Sequence, residues 1–434
     1  MRVAQLTPGA GGMFCGSCLR DNTLVRELRR LGHDALMVPL YMPLQVDEED
    51  TSAGTPVFFG GIHVYLQQKS GLGTKLPGVI DRWLADPAVL RWAAGLSSKT
   101  SPAVLGELTV SMLRGEDGRQ AHELGRLTEW LASQPRFDAI CLSNALLLGM
   151  ARRLHAQLGA PVFCTLHGED YFIDSLPEPH RGEAWALLRE RAAEIEGFIP
   201  VSAYYGEAMR ARLDLPGSRF HPVHNGIDLT GYEAASTAPE APAIGYLARF
   251  SPEKGLATLV EAFALLHRRM PNVCLKLGGS MSPADEPFVK ALRSDLRARG
   301  LDAYVSLQPN LTRSEKIAFL QSLSVLSVPA TYGEAFGLYV LEALACGVPV
   351  VQPRHGAFPE LLEKTGGGIL CAPDDPAALS TELETLLRDP VRARGLGAEG
   401  RVRVREAFGV ERMAREVLAV YERTAAAKGA SHGQ

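Results

Sequence analysis

Short apolar runs alternate with amphipathic stretches along most of the chain. In the first half, RVAQLTP is followed by helical periodicity over 21–31 and then by DALMVPL. The same order returns with DAICLSN, a helix near 145–157, and PVFCTLH. The second half repeats it with the apolar runs AIGYLAR, VCLKLGG, YVSLQ, SVLSVP and VPVVQP. This strand–helix rhythm predicts an α/β fold of two doubly wound domains, each a parallel sheet covered by helices.

A segment without periodicity separates the two halves. Residues 229–242 read LTGYEAASTAPEAP, a small, polar and proline-containing composition typical of linkers. We therefore expect an N-terminal domain over 1–228 and a C-terminal domain over 243–409. The length of 434 residues is consistent with two domains, because single hydrophobic cores stop growing at roughly 250–300 residues. The tail 424–434 has too few apolar residues to pack and is predicted to be flexible.

Residues 45–133 interrupt the rhythm and are predicted to form a helical insertion. Its apolar side chains of interest are Trp83, Leu84, Leu90 and Trp92. We expect them to pack onto the sheet as part of a helical pair. A lid over a binding cleft and a peripheral membrane contact are the alternatives. The membrane contact is not favoured, because Pro87 interrupts a continuous helix.

The net charge and the N-terminal sequence restrict the expected partners and cellular compartment of the protein. The net charge of −4 gives no global field for polyanions, so a nucleic-acid partner is not expected. The first residues, MRVAQLTPGAGG, lack the features of a secretory signal. The most apolar stretch, 139–151, is too short to span a bilayer. These observations predict a cytoplasmic protein.

The segment 332–349, YGEAFGLYVLEALACGVP, carries the strongest chemical pattern. It follows the buried strand SVLSVP, so Glu334 lies at a strand carboxyl end, where ligands bind in such sheets. A helix is predicted to begin near Phe336. The backbone N–H groups at its positive end form a seat for phosphate, and the residues that provide them are Phe336, Gly337 and Leu338.

Glu342 lies about two turns into the same helix. Its carboxylate suits the paired hydroxyls of a ribose, whereas Glu334 suits sugar hydroxyls. The alternative is a solvated pair of glutamates at a helix start, which the surrounding leucines and valines disfavour.

This segment resembles the signature of retaining GT-B glycosyltransferases, and ACGVPVV followed by GAFPELL is similar to their family 4. HNGID, ARFSPEKG and TLHGED occur in the matching order. The resemblance implies two Rossmann-like domains facing a deep cleft, with the acceptor on the first and a nucleoside diphosphate sugar on the second. It also implies that a helix over 410–423 returns to the first domain.

The resemblance assigns Arg249 and Lys254 to the leaving diphosphate. Arg249 ends a strand and Lys254 opens the next helix, so both cations can reach one diphosphate across a tight turn. Fixed cations stabilise the charge that a departing diphosphate gains in the transition state. An ordinary surface arginine and lysine are the alternative. No Asp-x-Asp motif follows a strand, so neither a metal nor another cofactor is expected.

Further residues are assigned by the same resemblance. Gly11 and Gly12 follow the first strand and are similar to glycines whose N–H groups approach the donor. His167 ends the strand PVFCTLH and is similar to the histidine that contacts the transferred hexose. Asp170 is expected either to orient His167 or to bind the acceptor. For Glu169, a solvated position without a functional role is an equally good expectation.

Cys15 and Cys18 depart from the family pattern. A CxxC at a helix start suits a redox-active thiol pair or two ligands of a zinc site. No second CxxC occurs. We therefore expect both cysteines to line the acceptor pocket beside Phe14.

The sequence thus predicts a metal-independent retaining hexosyltransferase that uses a UDP-, GDP- or ADP-linked sugar and an unidentified acceptor. The alternatives are an epimerase with the same fold, a non-catalytic nucleotide-sugar binding protein, and a thiol or zinc module. The combination of basic, acidic and imidazole side chains favours catalysis over binding alone.

Overall fold

The chain forms two compact units. The computed structural model describes residues 1–9, 16–44, 49–59, 102–235 and 239–431. The first unit consists of Met1–His224 together with Met413–Gln434, and the second of Asn225–Arg412. The polypeptide therefore passes between the units twice. None of the described helices is long and apolar enough to cross a membrane.

The first unit contains a five-stranded parallel sheet in the order β2-β1-β3-β4-β5. Its strands are β1 (Arg2–Thr7), β2 (Asp34–Pro39), β3 (Ala139–Leu142), β4 (Val162–Leu166) and β5 (Gly197–Pro200). Every residue of β3, β4 and β5 is buried. Such continuous burial is typical of parallel strands covered on both faces.

Helices surround this first sheet. They are α1 (Gly16–Arg30), α2 (Pro102–Arg114), α3 (Ala121–Ala132), α4 (Ala151–Leu158), α5 (Glu169–Asp174), α6 (His180–Ala192) and α7 (Ala203–Leu213). Two of them, α2 and α3, lie in the predicted insertion 45–133. The tryptophans and leucines over 83–92 lie outside the described residues.

The second unit contains a six-stranded parallel sheet in the order β11-β10-β9-β6-β7-β8. Its strands are β6 (Ala243–Leu247), β7 (Cys274–Gly279), β8 (Val305–Pro309), β9 (Val325–Leu326), β10 (Val350–Pro353) and β11 (Gly368–Cys371). The central strands β6, β9 and β10 are completely buried.

The helices of the second unit alternate with its strands. They are α8 (Leu256–His267), α9 (Glu286–Ala298), α10 (Arg313–Gln321), α11 (Leu338–Ala345), α12 (Phe358–Thr365), α13 (Pro376–Arg388) and α14 (Pro390–Ala407). Asp375 caps α13 by accepting hydrogen bonds from the backbone N–H groups of Ala377 and Ala378, both at 2.9 Å. The predicted α/β fold with two Rossmann-like domains is confirmed.

The last helix, α15 (Val410–Ser431), spans the second passage between the units. Its residues from Met413 onward belong to the first unit. The helix continues beyond Arg423 into the segment 424–434, which the sequence predicts to be flexible. Alanines dominate this extension, and alanine has the highest helix propensity of all residues.

Candidate functional site

Glu334 and Lys254 meet at the carboxyl ends of the central strands of the second sheet. Lys254 ends a short 3-10 turn after β6, and Glu334 lies in the loop after β9. Their side chains form an ion pair, with Nζ 2.6 Å from Oε2. Glu334 is only 8% exposed. The parallel topology brings these two residues together although 80 positions separate them.

Two tyrosines complete the surroundings of this ion pair. The hydroxyl groups of Tyr332 and Tyr339 donate to Oε2 of Glu334 at 3.3 and 3.1 Å. Lys254 also bonds to the Tyr332 hydroxyl. Burial and the adjacent Glu334 carboxylate raise the pKa of Tyr339 well above its ordinary value, so this hydroxyl remains a donor. The Oε1 atom of Glu334 makes no hydrogen bond within the described chain.

Arg249 lies two residues after β6, with half of its side chain exposed. Its Nη2 is 2.9 Å from Oδ1 of Asp285, and its Nε is 3.1 Å from the same oxygen. The Tyr246 hydroxyl donates to the Arg249 carbonyl oxygen at 2.7 Å. Both cations predicted to bind a diphosphate are therefore paired with carboxylates. The sequence did not reveal Asp285, because this partner comes from a different loop.

The helix α11 begins at Leu338, two residues later than predicted. Gly337 precedes it at φ +93°, a conformation that favours glycine, and a Cβ there would lie 3.1 Å from the Phe358 ring. No side chain caps this helix start. Phe336 is buried, and its ring centroid lies 6.4 Å from that of Phe408. The positive end of this helix can accommodate an anion.

Glu342 is held by neighbouring side chains of the second unit. Its Oε1 lies 2.7 Å from Nζ of Lys316 and accepts a hydrogen bond from the Tyr232 hydroxyl at 2.9 Å. Burial alone would raise the pKa of Glu342, but the Lys316 ammonium and these hydrogen bonds lower it below its ordinary value. One carboxylate oxygen is thus held by the protein, and the expected contact of Glu342 with a ribose stays a prediction.

In the first unit, His167 directly follows β4. Burial and the nearby Arg20 guanidinium hold the pKa of His167 well below its ordinary value, so the imidazole is neutral at physiological pH. Its Nε2 is buried without a hydrogen-bond partner among the described residues. Neither carboxylate oxygen of Asp170 is hydrogen-bonded to His167 within this part of the chain.

Glu169 anchors the turn that carries His167. Its Oε2 accepts hydrogen bonds from the backbone N–H groups of His167 and Gly168 at 2.9 and 3.0 Å, and from the Tyr205 hydroxyl at 3.0 Å. Its Oε1 accepts from the Ala145 N–H group at 3.2 Å. The expectation that Glu169 is readily solvated is wrong, because the side chain is buried and saturated with donors. The position of Glu169 at a helix start was the sequence feature that could have indicated these hydrogen bonds from backbone N–H groups.

Of the site residues predicted in and after the N-terminal glycine-rich loop, the structure describes Cys18. Gly11, Gly12, Phe14 and Cys15 lie outside the described residues. Cys18 is completely buried in α1, and its Sγ accepts from the Thr7 hydroxyl at 3.7 Å. A side chain without exposed surface does not fit the expected position on the wall of an open pocket. No cluster of three or more metal-ligating side chains occurs among the described residues.

Comparison with known families assigns the chain. Residues 106–230 match the family described as Glycosyltransferase Family 4, and residues 233–403 match Glycosyl transferases group 1. The chain belongs to these glycosyltransferases. The predicted resemblance is thereby confirmed.

Two glycosyltransferases are similar to this chain over most of its length. The MMP alpha-(1->4)-mannosyltransferase of Mycolicibacterium hassiacum is 28% identical over 438 residues, which are 98% of this chain and 99% of that protein. The D-inositol 3-phosphate glycosyltransferase of Jonesia denitrificans is 28% identical over 366 residues, covering 78% and 81% of the two chains.

Solved structures show the same GT-B fold. Sucrose-phosphate synthase from Thermosynechococcus elongatus matches with a TM-score of 0.72 and 19% identity, covering 98% of this chain and all of that one. HepE from Anabaena, solved in complex with UDP-glucose, matches with a TM-score of 0.67 and 17% identity at the same coverage.

Proposed function

We propose that this glycosyltransferase transfers a hexose from a nucleoside diphosphate sugar to an unidentified acceptor. The transfer retains the anomeric configuration of the sugar and proceeds without a metal ion. The observation that supports this most strongly is the position of Lys254 and Glu334. They form one cluster at the strand carboxyl ends of the second unit, which also contains the uncapped start of α11. A basic group, a carboxylate and a helix N-terminus are what a sugar linked to a diphosphate requires.

The diphosphate binds Lys254 and Arg249. Negative charge grows on the leaving diphosphate as its bond to the anomeric carbon breaks. Cations already fixed in place stabilise this charge without reorganisation. Two such cations supply the positive charge that a metal ion supplies in other transferases, which is the basis for proposing metal independence.

Glu334 binds the transferred sugar through its Oε1, which has no protein partner among the described residues. Its Oε2 is held by Lys254 and two tyrosines, so the carboxylate is rigid before the donor arrives. A rigid acceptor of this kind orients a sugar hydroxyl at low entropic cost.

His167 contributes a neutral imidazole from the first unit. In this charge state it can donate or accept one hydrogen bond to a hexose hydroxyl without adding charge. In the reaction, the bond between the anomeric carbon and the phosphate oxygen breaks. The bond from the acceptor oxygen forms on the same face, and the acceptor's proton passes to the departing phosphate.

Donor identity is tested with a panel of UDP-, GDP- and ADP-sugars. The purified protein should release free nucleoside diphosphate slowly from one of them without acceptor, because water replaces the acceptor. The same nucleoside diphosphate should raise the thermal midpoint most, since a ligand at one hundred times its Kd stabilises by roughly 2.7 kcal/mol. Conversion of the sugar without nucleotide release would contradict the proposal, and so would binding without turnover.

A further inference from the structure

Asp285 and Arg249 form a fork in the second unit. Asp285 lies immediately before α9, 36 positions after Arg249. The Nε atom of Arg249 donates to both carboxylate oxygens, at 3.1 and 3.4 Å, and Nη2 donates to Oδ1 at 2.9 Å. Contacts of this kind fix a guanidinium in plane as well as in position.

Asp285 is itself immobilised. Its Oδ2 accepts hydrogen bonds from the backbone N–H group of Ser282 at 2.8 Å and from its hydroxyl at 2.6 Å. The aspartate is 6% exposed, whereas half of the Arg249 side chain is exposed. Burial alone would raise the pKa of Asp285, but the Ser282 hydrogen bonds and the Arg249 cation bring it below its ordinary value. The carboxylate is therefore ionised at neutral pH.

This arrangement leaves one edge of the guanidinium available. Nε and Nη2 are taken by Asp285, and Nη1 makes no hydrogen bond to any described residue. The backbone of Arg249 is also held, because its carbonyl accepts from the Tyr246 hydroxyl. The cation is therefore presented in one orientation before any ligand is bound.

We propose that Asp285 is a positioning residue for the transfer reaction, which holds Arg249 so that its Nη1 meets the donor diphosphate. This inference rests on the proposed function. Asp285 does not touch the donor, because two anions would repel each other. Its contribution is to remove the rotamer freedom that a half-exposed arginine would otherwise lose during the reaction.

A double-mutant cycle tests this coupling. The probe is the nucleoside diphosphate among UDP, GDP and ADP that gives the largest thermal shift, and turnover is measured as hydrolysis of the corresponding nucleotide sugar. Asp285→Asn should lower kcat about tenfold while the Kd of the nucleoside diphosphate changes less than about threefold. In the Arg249→Ala background the same substitution should change kcat less than about twofold, because the positioned group is already absent.

Two further variants make the test independent of folding effects at Asp285. Arg249→Lys keeps the charge but cannot form the fork, so it should lower kcat about as much as Asp285→Asn does. Asp302→Asn is the matched control, since Asp302 also pairs with arginines of the second unit, Arg293 and Arg297. It should leave kcat and Kd unchanged.

The outcomes separate this inference from the function on which it rests. An equal loss from Asp285→Asn in both backgrounds would overturn the inference, as would full activity of Arg249→Lys. If Arg249→Ala is impaired but Asp285→Asn is not, the positioning role fails and the proposed function stands. If Arg249→Ala keeps normal turnover and affinity, the assignment of Arg249 to the diphosphate fails as well.

Discussion

The two oxygens of Glu334 have different surroundings. Oε2 receives Lys254 and two tyrosine hydroxyls, whereas Oε1 has no partner among the described residues. The same side chain can therefore be held by the protein and still bind a sugar hydroxyl. A group held in this way acts mainly on the transition state, because its orientation is set before binding.

Glu334→Gln should lower turnover by about two orders of magnitude, a typical loss for one well-aimed transition-state contact. The affinity for the nucleoside diphosphate should change little, because the contact is to the sugar. Steady-state hydrolysis and calorimetry measure the two quantities. Glu261→Gln, which changes an exposed glutamate paired with Arg299, is the control. A large loss of diphosphate affinity would place Glu334 at the other end of the donor.

Lys254→Ala is expected to act on the diphosphate itself. Removing the cation should weaken nucleoside diphosphate binding at least tenfold and slow turnover further, since charge on the leaving group increases in the transition state. Lys364→Ala, at the exposed end of α12, provides the control for a lost positive charge. Turnover and affinity equal to those of the unmodified protein would remove Lys254 from the donor site.

Residues that follow a strand or open a helix were the ones the sequence could place. Lys254 and Glu334 fall into this class, and parallel topology then brings them together. Asp285 and Lys316 could not be found in this way, because their partners come from distant loops or helices. Glu169 was misjudged, since a carboxylate after a strand is solvated or saturated depending on donors from Ala145 and Tyr205.

At the scale of elements, Glu342 links α11 to α10 and to the segment around Tyr232. The ion pair with Lys316 is largely buried, with side-chain exposures of 15% and 18%. Removal of one partner from such a pair leaves a charge without compensation in a poorly solvated place. The helix contact therefore depends on the ionised state of Glu342.

Glu342→Gln should lower the free energy of unfolding by about 2 kcal/mol at neutral pH. This is less than the usual cost of breaking a fully buried ion pair, because the pair with Lys316 is partly exposed to solvent. Because the folded-state pKa lies below the ordinary value of 4.5, the stabilisation is fully present above that value. It is lost as the pH falls through the depressed folded-state pKa. Urea unfolding of both proteins across this range is the measurement. A difference independent of pH would contradict the ionic contribution.

Element boundaries were predictable where backbone chemistry marks them. Asp375 precedes the helix that its side chain caps, and proline follows it. The start of α11 shifted from Phe336 to Leu338 because Gly337 adopts a left-handed conformation. The last helix runs beyond Arg423, where helix propensity continued after the apolar pattern had ended.

At the scale of the whole molecule, the chain contains two Rossmann-like units. In the proposed function, the second carries the cations and the carboxylate for a donor, and the first carries a neutral histidine. The strand–helix rhythm was sufficient to predict both units. The passage of α15 to the first unit was expected from the family resemblance, since a helical pattern alone does not indicate which unit the helix joins.

The most direct test of the central proposal is the anomeric configuration of the sugar released from the donor. The nucleotide α-hexose selected by the panel is incubated with the protein without acceptor, and the first product is observed by proton NMR before mutarotation. Retaining transfer to water predicts that the α-anomer appears first, together with one equivalent of nucleoside diphosphate, and that Lys254→Ala suppresses both signals. Initial appearance of the β-anomer would contradict the account.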